Sequence, residues 1–192
     1  MLEIRIHGRG GQGNVVAAYL LASAAIEQGQ YAQAFPSFGA ERRGAPVSAF
    51  VRIHSQPIQR RCQILAPDYL IIQDDALLQV SGVLDGLKPQ GGALINSTQT
   101  ATVLAQATGV NIIPLAATQL AQTWLGRPVP NTALLAAFLT LTQILPLTAL
   151  ESVLAKRFKG KVLEQNIQLI HQAAQAVAAL SLSWSTPHVA SA

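Results

Sequence analysis

The chain has 192 residues, of which 50% are hydrophobic and 11% are charged. This length allows one generous domain, and the small share of charged residues indicates a surface that partly meets partner subunits. The simpler alternative is that the genome generally favours Ala and Gln, in which case the low charge does not indicate partner subunits. The single cysteine, Cys62, excludes an internal disulfide and any site built on clustered cysteines.

The net charge of +4 is unevenly distributed along the chain. Residues 1–61 contain seven arginines against three glutamates, whereas the remainder holds six basic and six acidic residues. This excess suits a phosphate-bearing ligand or an acidic neighbour, although solvated arginines would give the same count. Residues 130–150 are uncharged but contain polar residues and a proline, which favours a buried helix over a membrane span. No leader precedes the first strand, and we expect a cytoplasmic protein.

The chain opens with a strand, a glycine-rich loop and a helix. Residues 2–7 alternate between apolar and polar side chains, as a strand does, and the run GRGGQG follows at residues 8–13. Apolar residues then recur at helical spacing up to Ile26, and Gly29 stands where a helix C-cap belongs.

The middle of the chain alternates strands with helices. Strands are predicted at residues 47–54, 69–73, 93–96 and 110–115, and helices at residues 75–84 and 98–107. After Leu115 only helices are predicted, with Asn131 as the N-cap of one of them. The pattern predicts an α/β fold with a Rossmann-like parallel sheet flanked by helices and a helical C-terminal part. Residues 1–180 form one domain, and residues 181–192 a loose tail with few anchors.

The glycine loop fits the pattern G-x-G-x-x-G between a strand and a helix. Its candidate ligand-binding residues are Gly8, Gly10, Gly11, Gln12 and Gly13. Glycines let the backbone approach an anion, and a helix N-terminus supplies free N–H donors. NAD is disfavoured, because residues 30–35 offer no carboxylate for a ribose. A tight structural turn without a ligand is the alternative interpretation.

A second segment carries a family resemblance. Residues 35–46 read FPSFGAERRGAP and lead into the strand at residues 47–54. Together with residues 8–13, this block closely resembles the gamma subunit, or the equivalent fused domain, of pyruvate and 2-ketoisovalerate (2-oxoacid):ferredoxin oxidoreductases. The likeness covers residues 1–180 and is looser in the helical half, where Asn131 and residues 161–166 are still similar. Asn14 departs from the family, which often has a small apolar residue there.

The resemblance implies a complex that oxidises a 2-oxoacid on thiamine diphosphate, passes electrons through iron–sulfur clusters to ferredoxin, and transfers the acyl group to coenzyme A. It also implies partner subunits of alpha, beta and delta type, or fusions of them, that carry the thiamine and cluster sites. This sequence is consistent with thiamine and cluster sites on other subunits. It lacks a Gly-Asp-Gly thiamine signature, and it has one cysteine where an iron–sulfur cluster needs about four.

On this basis the loop would cradle a coenzyme A phosphate. Arg42 and Arg43 would supply charge or hold the loop at a subunit boundary, and a salt bridge with Glu41 or a partner is an equal alternative. Catalytic and metal-binding residues are not expected on this chain. Two further functions remain open, a small subunit of indolepyruvate oxidoreductase and a stand-alone nucleotide-binding module. A nucleic-acid partner is not expected, since the arginines lack interleaved aromatic residues.

Overall fold

A computed structural model of the chain describes residues 1–37, 44–110, 112–180 and Trp184. In this part of the chain the strands form a single six-stranded sheet. The strands are β1 (Leu2–Arg9), β2 (Tyr31–Pro36), β3 (Pro46–His54), β4 (Tyr69–Ile72), β5 (Gly92–Asn96) and β6 (Ile112–Leu115).

The helices lie between the strands and after the last of them. They are α1 (Asn14–Glu27), α2 (Ala101–Thr108), α3 (Ala117–Leu125), α4 (Asn131–Thr142), α5 (Leu147–Arg157) and α6 (Gly160–Ala178). The α/β class and the helical C-terminal part that the sequence predicts are therefore confirmed. The division into one domain and a tail stays a prediction.

The sheet is mixed rather than parallel throughout. Its strand order is β2-β3-β1-β4-β5-β6, and β1, β4, β5 and β6 run parallel to one another. Strand β3 pairs antiparallel with both β1 and β2. β2 ends at Pro36 and β3 begins at Pro46, so the connection is shorter than the dozen or so residues that a crossover between parallel strands needs.

Side chains of the sheet alternate between two buried clusters. Ile4, Ile6 and Ile71 face the larger cluster, which α1, α3, α4, α5 and α6 complete. Leu70 and Ile72 face the smaller one, which includes Leu104 of α2. Helix α4 is uncharged and apolar on all sides, and every residue in it except Thr140 is buried, as predicted for this stretch.

Residues 75–84, predicted as a helix, form only a short 3₁₀ turn over Asp75–Gln79. Gly82 has a φ of +90°, and the backbone carbonyls of residues 82, 83 and 85 turn inward to accept hydrogen bonds from Arg5. The left-handed φ of Gly82 is incompatible with a right-handed helix, and the carbonyls around it face Arg5, so the helix does not extend through this segment.

Trp184 packs onto the sheet. Its ring stacks on Tyr69 with centroids 5.2 Å apart and meets Phe138 edge-on, and its backbone N–H donates to the carbonyl of Leu141. The other residues of the segment 181–192 lie outside the described part. None of the described helices is long and apolar enough to cross a membrane.

Candidate functional site

The glycine loop joins the carboxyl end of β1 to the N-terminus of α1. Gly13 is the N-cap of α1 with φ 78° and ψ 26°, and no side chain caps this helix end. Gly11 has a φ of +100°, and a Cβ added there would meet none of the described residues within 4 Å. Both glycines thus hold backbone conformations that other residues rarely adopt, and no described residue covers Gly11.

Two of the loop amides are already used within the protein. The N–H of Gly10 donates to the carbonyl of Ala45 at 3.0 Å, and the N–H of Gln12 donates to the carbonyl of Arg9 at 3.0 Å. Within the described residues, the N–H groups of Gly11, Gly13 and Asn14 have no protein acceptor. These amides and the positive end of the α1 dipole create a local environment that favours negative charge.

Asp74 holds the loop in place from the end of β4. Its Oδ2 accepts from Arg9 Nε at 2.6 Å and from Gln12 Nε2 at 3.4 Å. Its Oδ1 accepts from the N–H of Ala76 at 3.0 Å and so caps the 3₁₀ turn. The side chain of Gln12 also accepts from the N–H of Arg9 at 2.7 Å, so this predicted ligand residue stabilises the loop itself.

Gly8 lies inside β1 opposite Val47 rather than in the open loop. A Cβ on Gly8 would approach Asn14 Cβ to 3.2 Å, so the missing side chain permits close packing of strand and helix. Asn14 is 3% exposed, and its Nδ2 donates to the carbonyl of Val47 at 2.9 Å. Asn14, which departs from the family pattern, therefore connects the start of α1 to β3 through this hydrogen bond.

Asn131 brings a second helix N-terminus to the loop. Helix α4 begins at this residue, and Asn131 Nδ2 donates to the carbonyl of Gly13 at 3.3 Å. The sequence predicted Asn131 as the N-cap, but the cap is Pro130, and the side chain reaches the loop instead. The start of α4 thus lies beside the start of α1, which adds a second positive dipole end.

His7 and Arg5 form a buried network beneath the loop. Arg5 Nε donates to His7 Nε2 at 2.9 Å, and because an arginine can only donate, Nε2 is the acceptor. In the neutral ring Nδ1 therefore carries the proton and donates to Ser48 Oγ at 3.1 Å. Burial and the nearby Arg5 charge lower the pKa of His7 to about 3, so the ring is neutral at physiological pH.

Several arginines of the basic first third have structural partners. Arg5 donates to backbone carbonyls, Arg9 pairs with Asp74, and Arg52, which is 1% exposed, pairs with Glu3 at 2.8 Å. Arg42 and Arg43 lie outside the described residues. The excess of positive charge counted from the sequence is thus partly used inside the fold.

The structure also brings in residues that sequence reasoning did not assign to the site. Arg9 and Asp74 clamp the loop, and Asn131 contacts it from 118 positions along the chain. The arginine inside the glycine motif and the acid at the end of a strand were visible signals for the first pair. Within the described residues, no group of three or more His, Cys, Asp or Glu side chains could hold a metal ion.

The mixed sheet, the glycine loop and the uncapped start of α1 define a Rossmann-like α/β domain of the kind that accepts phosphate groups at a helix N-terminus. The family model described as pyruvate ferredoxin/flavodoxin oxidoreductase matches residues 3–176. The chain belongs to this family, as a gamma-type subunit of a 2-oxoacid:ferredoxin oxidoreductase.

Several proteins of this family are similar to the chain over most of its length. It is 46% identical over 168 residues to pyruvate synthase subunit PorC of Methanothermobacter marburgensis, covering 88% of this chain and 93% of that one. It is 40% identical over 176 residues to the common gamma subunit of the pyruvate/ketoisovalerate oxidoreductases of Pyrococcus furiosus, covering 90% and 95%. The crystal structure of pyruvate oxidoreductase subunit PORC from Thermotoga maritima superposes with a TM-score of 0.82 at 36% identity, covering 91% and 95%.

Proposed function

We propose that this subunit binds a phosphate group of coenzyme A at its glycine loop and helps to assemble the complex. The complex would oxidise pyruvate or a related 2-oxoacid to the acyl-coenzyme A and carbon dioxide, with ferredoxin as the electron acceptor. Thiamine diphosphate and the iron–sulfur clusters would lie on the alpha-, beta- and delta-type partner subunits or their fusions. The cytoplasmic location expected from the sequence is part of this proposal.

The observation that carries the proposal is the set of free donors at the start of α1. The N–H groups of Gly11, Gly13 and Asn14 have no acceptor among the described residues, and no side chain caps the helix. Free N–H groups at a helix start bind phosphate because each can donate to a phosphate oxygen while the helix dipole favours negative charge. Coenzyme A is the phosphate-bearing cosubstrate of the reaction that the family catalyses.

The side chains of this subunit indicate which cofactors its partner subunits would carry. An iron–sulfur cluster needs about four cysteines, and the whole sequence contains one, Cys62. The chain therefore cannot ligate a cluster by itself. What it offers toward the reaction is an anion-binding loop held rigid by the ion pair of Arg9 with Asp74 at 2.6 Å.

Arg42 and Arg43 belong to the proposal as residues that add positive charge beside the loop or fix it against a neighbouring subunit. The described chain resumes at Gly44, whose carbonyl accepts from Arg9 Nη1 at 3.2 Å and whose N–H donates to the carbonyl of Gly10 at 3.2 Å. Position 43 is thus covalently next to a residue that contacts the loop. This supports a role for the two arginines near the phosphate.

The names of the relatives favour pyruvate or a branched-chain 2-oxoacid as the substrate. The Methanothermobacter marburgensis relative is named for pyruvate, and the Pyrococcus furiosus relative for both pyruvate and ketoisovalerate. Both names count against the indolepyruvate alternative. The stand-alone nucleotide-binding module is disfavoured as well, because these relatives are named as subunits.

A matched pair of variants tests the phosphate-binding role. Gly11→Asp and Gly11→Asn place side chains of nearly equal shape at an open position, and both residues tolerate a positive φ better than most. The backbone strain is therefore similar, and the two variants differ by one negative charge. We would purify each complex anaerobically and measure the KM for coenzyme A by viologen reduction with pyruvate.

We expect Gly11→Asp to raise the KM for coenzyme A about tenfold above that of Gly11→Asn, while the KM for pyruvate stays the same in both. The difference should shrink as the salt concentration rises, because salt screens the added charge. Equal KM values for coenzyme A in the two variants would show that no anion binds at the loop.

A further inference from the structure

The connection from β3 to β4 is a long loop that contains no helix or strand. It runs over residues 55–68, which we call the β3–β4 loop. It begins where β3 ends beside Leu2, at the start of β1, whereas the glycine loop follows the other end of β1. Loops longer than about 12–15 residues without secondary structure are uncommon in compact domains, and those that are not linkers usually carry a function.

Polar side chains of the sheet hold the β3–β4 loop from beneath. Gln33 Nε2 donates to the carbonyl of Ile58 at 2.7 Å, and Arg52 Nη2 lies 3.8 Å from Cys62 Sγ. The side chain of Ile64 is 1% exposed and anchors the loop further along. The inner side of the loop is thus fixed at three points, so its outer side is presented to the surroundings in one arrangement.

The outer side of the loop carries two adjacent arginines. Arg60 and Arg61 are exposed, and none of the ion pairs of the described residues includes them. No acidic residue occurs in the sequence between Glu41 and Asp68. Asp85, in the connection between β4 and β5, makes none of these ion pairs either. The charge of the two arginines is therefore not neutralised by the described part of the chain.

Apolar side chains are exposed beside the two arginines. Leu65 of the same loop is 76% exposed, and Tyr31 is 49% exposed. Tyr31 projects from the same face of β2 as Gln33, which contacts the loop. Arginine and tyrosine are enriched where proteins contact one another. Together these four residues, Tyr31, Arg60, Arg61 and Leu65, form what we call the basic loop surface.

The charge of the basic loop surface determines the kind of partner that fits it. A second copy of this chain is a poor match, because the chain has a net charge of +4 and many of its carboxylates already pair with basic side chains, namely Glu3, Glu27, Asp68, Asp74 and Glu151. A nucleic acid is disfavoured, since residues 55–68 include no aromatic side chain on which a base could stack. An acidic surface of a different protein meets both conditions.

We propose that the basic loop surface docks against an acidic surface of a partner subunit of the oxidoreductase complex. Arg60 and Arg61 pair with carboxylates of the partner, and Leu65 and Tyr31 pack at the same contact. The inference rests on the assembly part of the proposed function and names the surface that performs it. It does not involve the glycine loop, which lies at the opposite edge of the sheet.

Charge reversal of the two arginines tests the proposal. Arg60→Glu,Arg61→Glu and Arg60→Gln,Arg61→Gln are compared with the wild type and with the control Lys159→Glu,Lys161→Glu. The two lysines are also exposed, and they lie at the start of α6, which packs on the other face of the sheet. Sedimentation velocity of diluted, anaerobically purified complexes in sealed cells gives the Kd with which this subunit is held. Circular dichroism checks that each variant folds.

We expect the Kd to rise at least about a hundredfold in Arg60→Glu,Arg61→Glu and about tenfold in Arg60→Gln,Arg61→Gln, because like charges then oppose the contact or its ion pairs are lost. The control should keep the Kd of the wild type, which should itself rise with salt concentration. An unchanged Kd in Arg60→Glu,Arg61→Glu overturns the inference. So does a charge reversal that changes only self-association of the free subunit or its binding to a nucleic acid.

Cys62 reports on the same surface without any substitution. It is exposed, adjacent to Arg61 in the sequence, and the single cysteine of the chain. We expect N-ethylmaleimide to label it at least about tenfold more slowly in the wild-type complex than in the free subunit, because a docked partner excludes solvent from the contact. The label is quantified by mass spectrometry of the peptide that contains it. Equal labelling rates in the two samples would contradict the proposal even if the charge-reversed variant failed to fold.

Failure of this inference is distinguishable from failure of the proposed function. If the tagged wild-type chain purifies without partner subunits, the assembly part of the proposed function is wrong. If the wild type and Arg60→Glu,Arg61→Glu are held equally tightly while Gly11→Asp still raises the KM for coenzyme A, the proposed function stands and the docking surface alone is wrong.

Discussion

Replacing Gly13 by alanine tests the contact that joins the two halves of the site. Gly13 sits in the left-handed region with φ 78° and ψ 26°. A Cβ added there would lie 2.7 Å from Asn131 Nδ2, much closer than real Cβ contacts allow. Asn131 is 7% exposed and its amide donates to the carbonyl of Gly13, so it cannot move away without losing that bond.

The expected loss of stability is the sum of two effects. Forcing alanine into the left-handed region costs about 1–2 kcal/mol. Displacing Asn131 costs about 1 kcal/mol more, the net value of a typical hydrogen bond within a protein. The free energy of unfolding of Gly13→Ala should therefore fall by roughly 2–3 kcal/mol.

Gly109→Ala is the matched control. Gly109 is the C-cap of α2 with φ 69° and ψ 6°, and a Cβ there would meet none of the described residues within 4 Å. This variant should lose only the backbone contribution, about 1–2 kcal/mol. Urea unfolding of the purified subunit, followed by far-UV circular dichroism, gives both values on one scale.

Combining Gly13→Ala with Asn131→Ala isolates the steric part. With the amide removed, the added Cβ has room, so the double variant should be more stable than the sum of the single losses predicts. If Gly13→Ala loses no more stability than Gly109→Ala, the close contact between the loop and α4 does not exist as described, and the argument for two converging helix ends fails.

Three further outcomes follow from individual contacts. Asp74→Ala should lower the free energy of unfolding by about 1–2 kcal/mol, measured by urea unfolding, and raise the KM for coenzyme A, because it removes the helix cap and frees Arg9. Because burial and Arg5 hold the pKa of His7 at about 3, the unfolded chain binds a proton below about pH 6.5 that the folded protein does not. Stability should therefore fall as the pH drops from 6.5 towards 3, by up to about 1.4 kcal/mol per pH unit, and His7→Gln should remove this part of the dependence in urea unfolding at several pH values. Trp184→Ala should lower the melting temperature, because the ring stacks on Tyr69 with centroids 5.2 Å apart; an unchanged melting temperature would mean that this contact adds nothing to stability.

The local part of the site could be predicted from the sequence. The strand, the glycine run and the following helix are consecutive, and glycine is the residue that the positive φ angles of Gly11 and Gly13 favour. The motif therefore determines its own backbone shape.

The long-range part could not be predicted. Asn131 is a helix-capping residue by type, and only the packing of α4 against α1 directs its side chain to the carbonyl of Gly13. The arginines show a similar limit, since composition does not distinguish Arg52, which is 1% exposed and paired with Glu3, from an exposed residue such as Arg61. Pairing partners depend on tertiary contacts, which a single sequence does not reveal.

The sequence pattern also could not predict that β3 runs antiparallel to its neighbours. Alternating strands and helices predict a parallel sheet, and this holds for β1, β4, β5 and β6. Strand β2 was not predicted, so the short connection between β2 and β3 went unnoticed. With β2 in place, antiparallel pairing of β2 and β3 follows from the shortness of their connection, because a parallel crossover needs a dozen or more residues.

The most direct test of the central claim measures hydrogen exchange of the anaerobically purified complex with and without coenzyme A. The N–H groups of Gly11, Gly13 and Asn14 have no acceptor among the described residues, so a bound phosphate should slow their exchange. We expect coenzyme A to protect peptides that cover residues 9–17, and Gly11→Asp to weaken this protection at the same coenzyme A concentration. Protection that appears only on partner subunits, with residues 9–17 unchanged, would contradict the account.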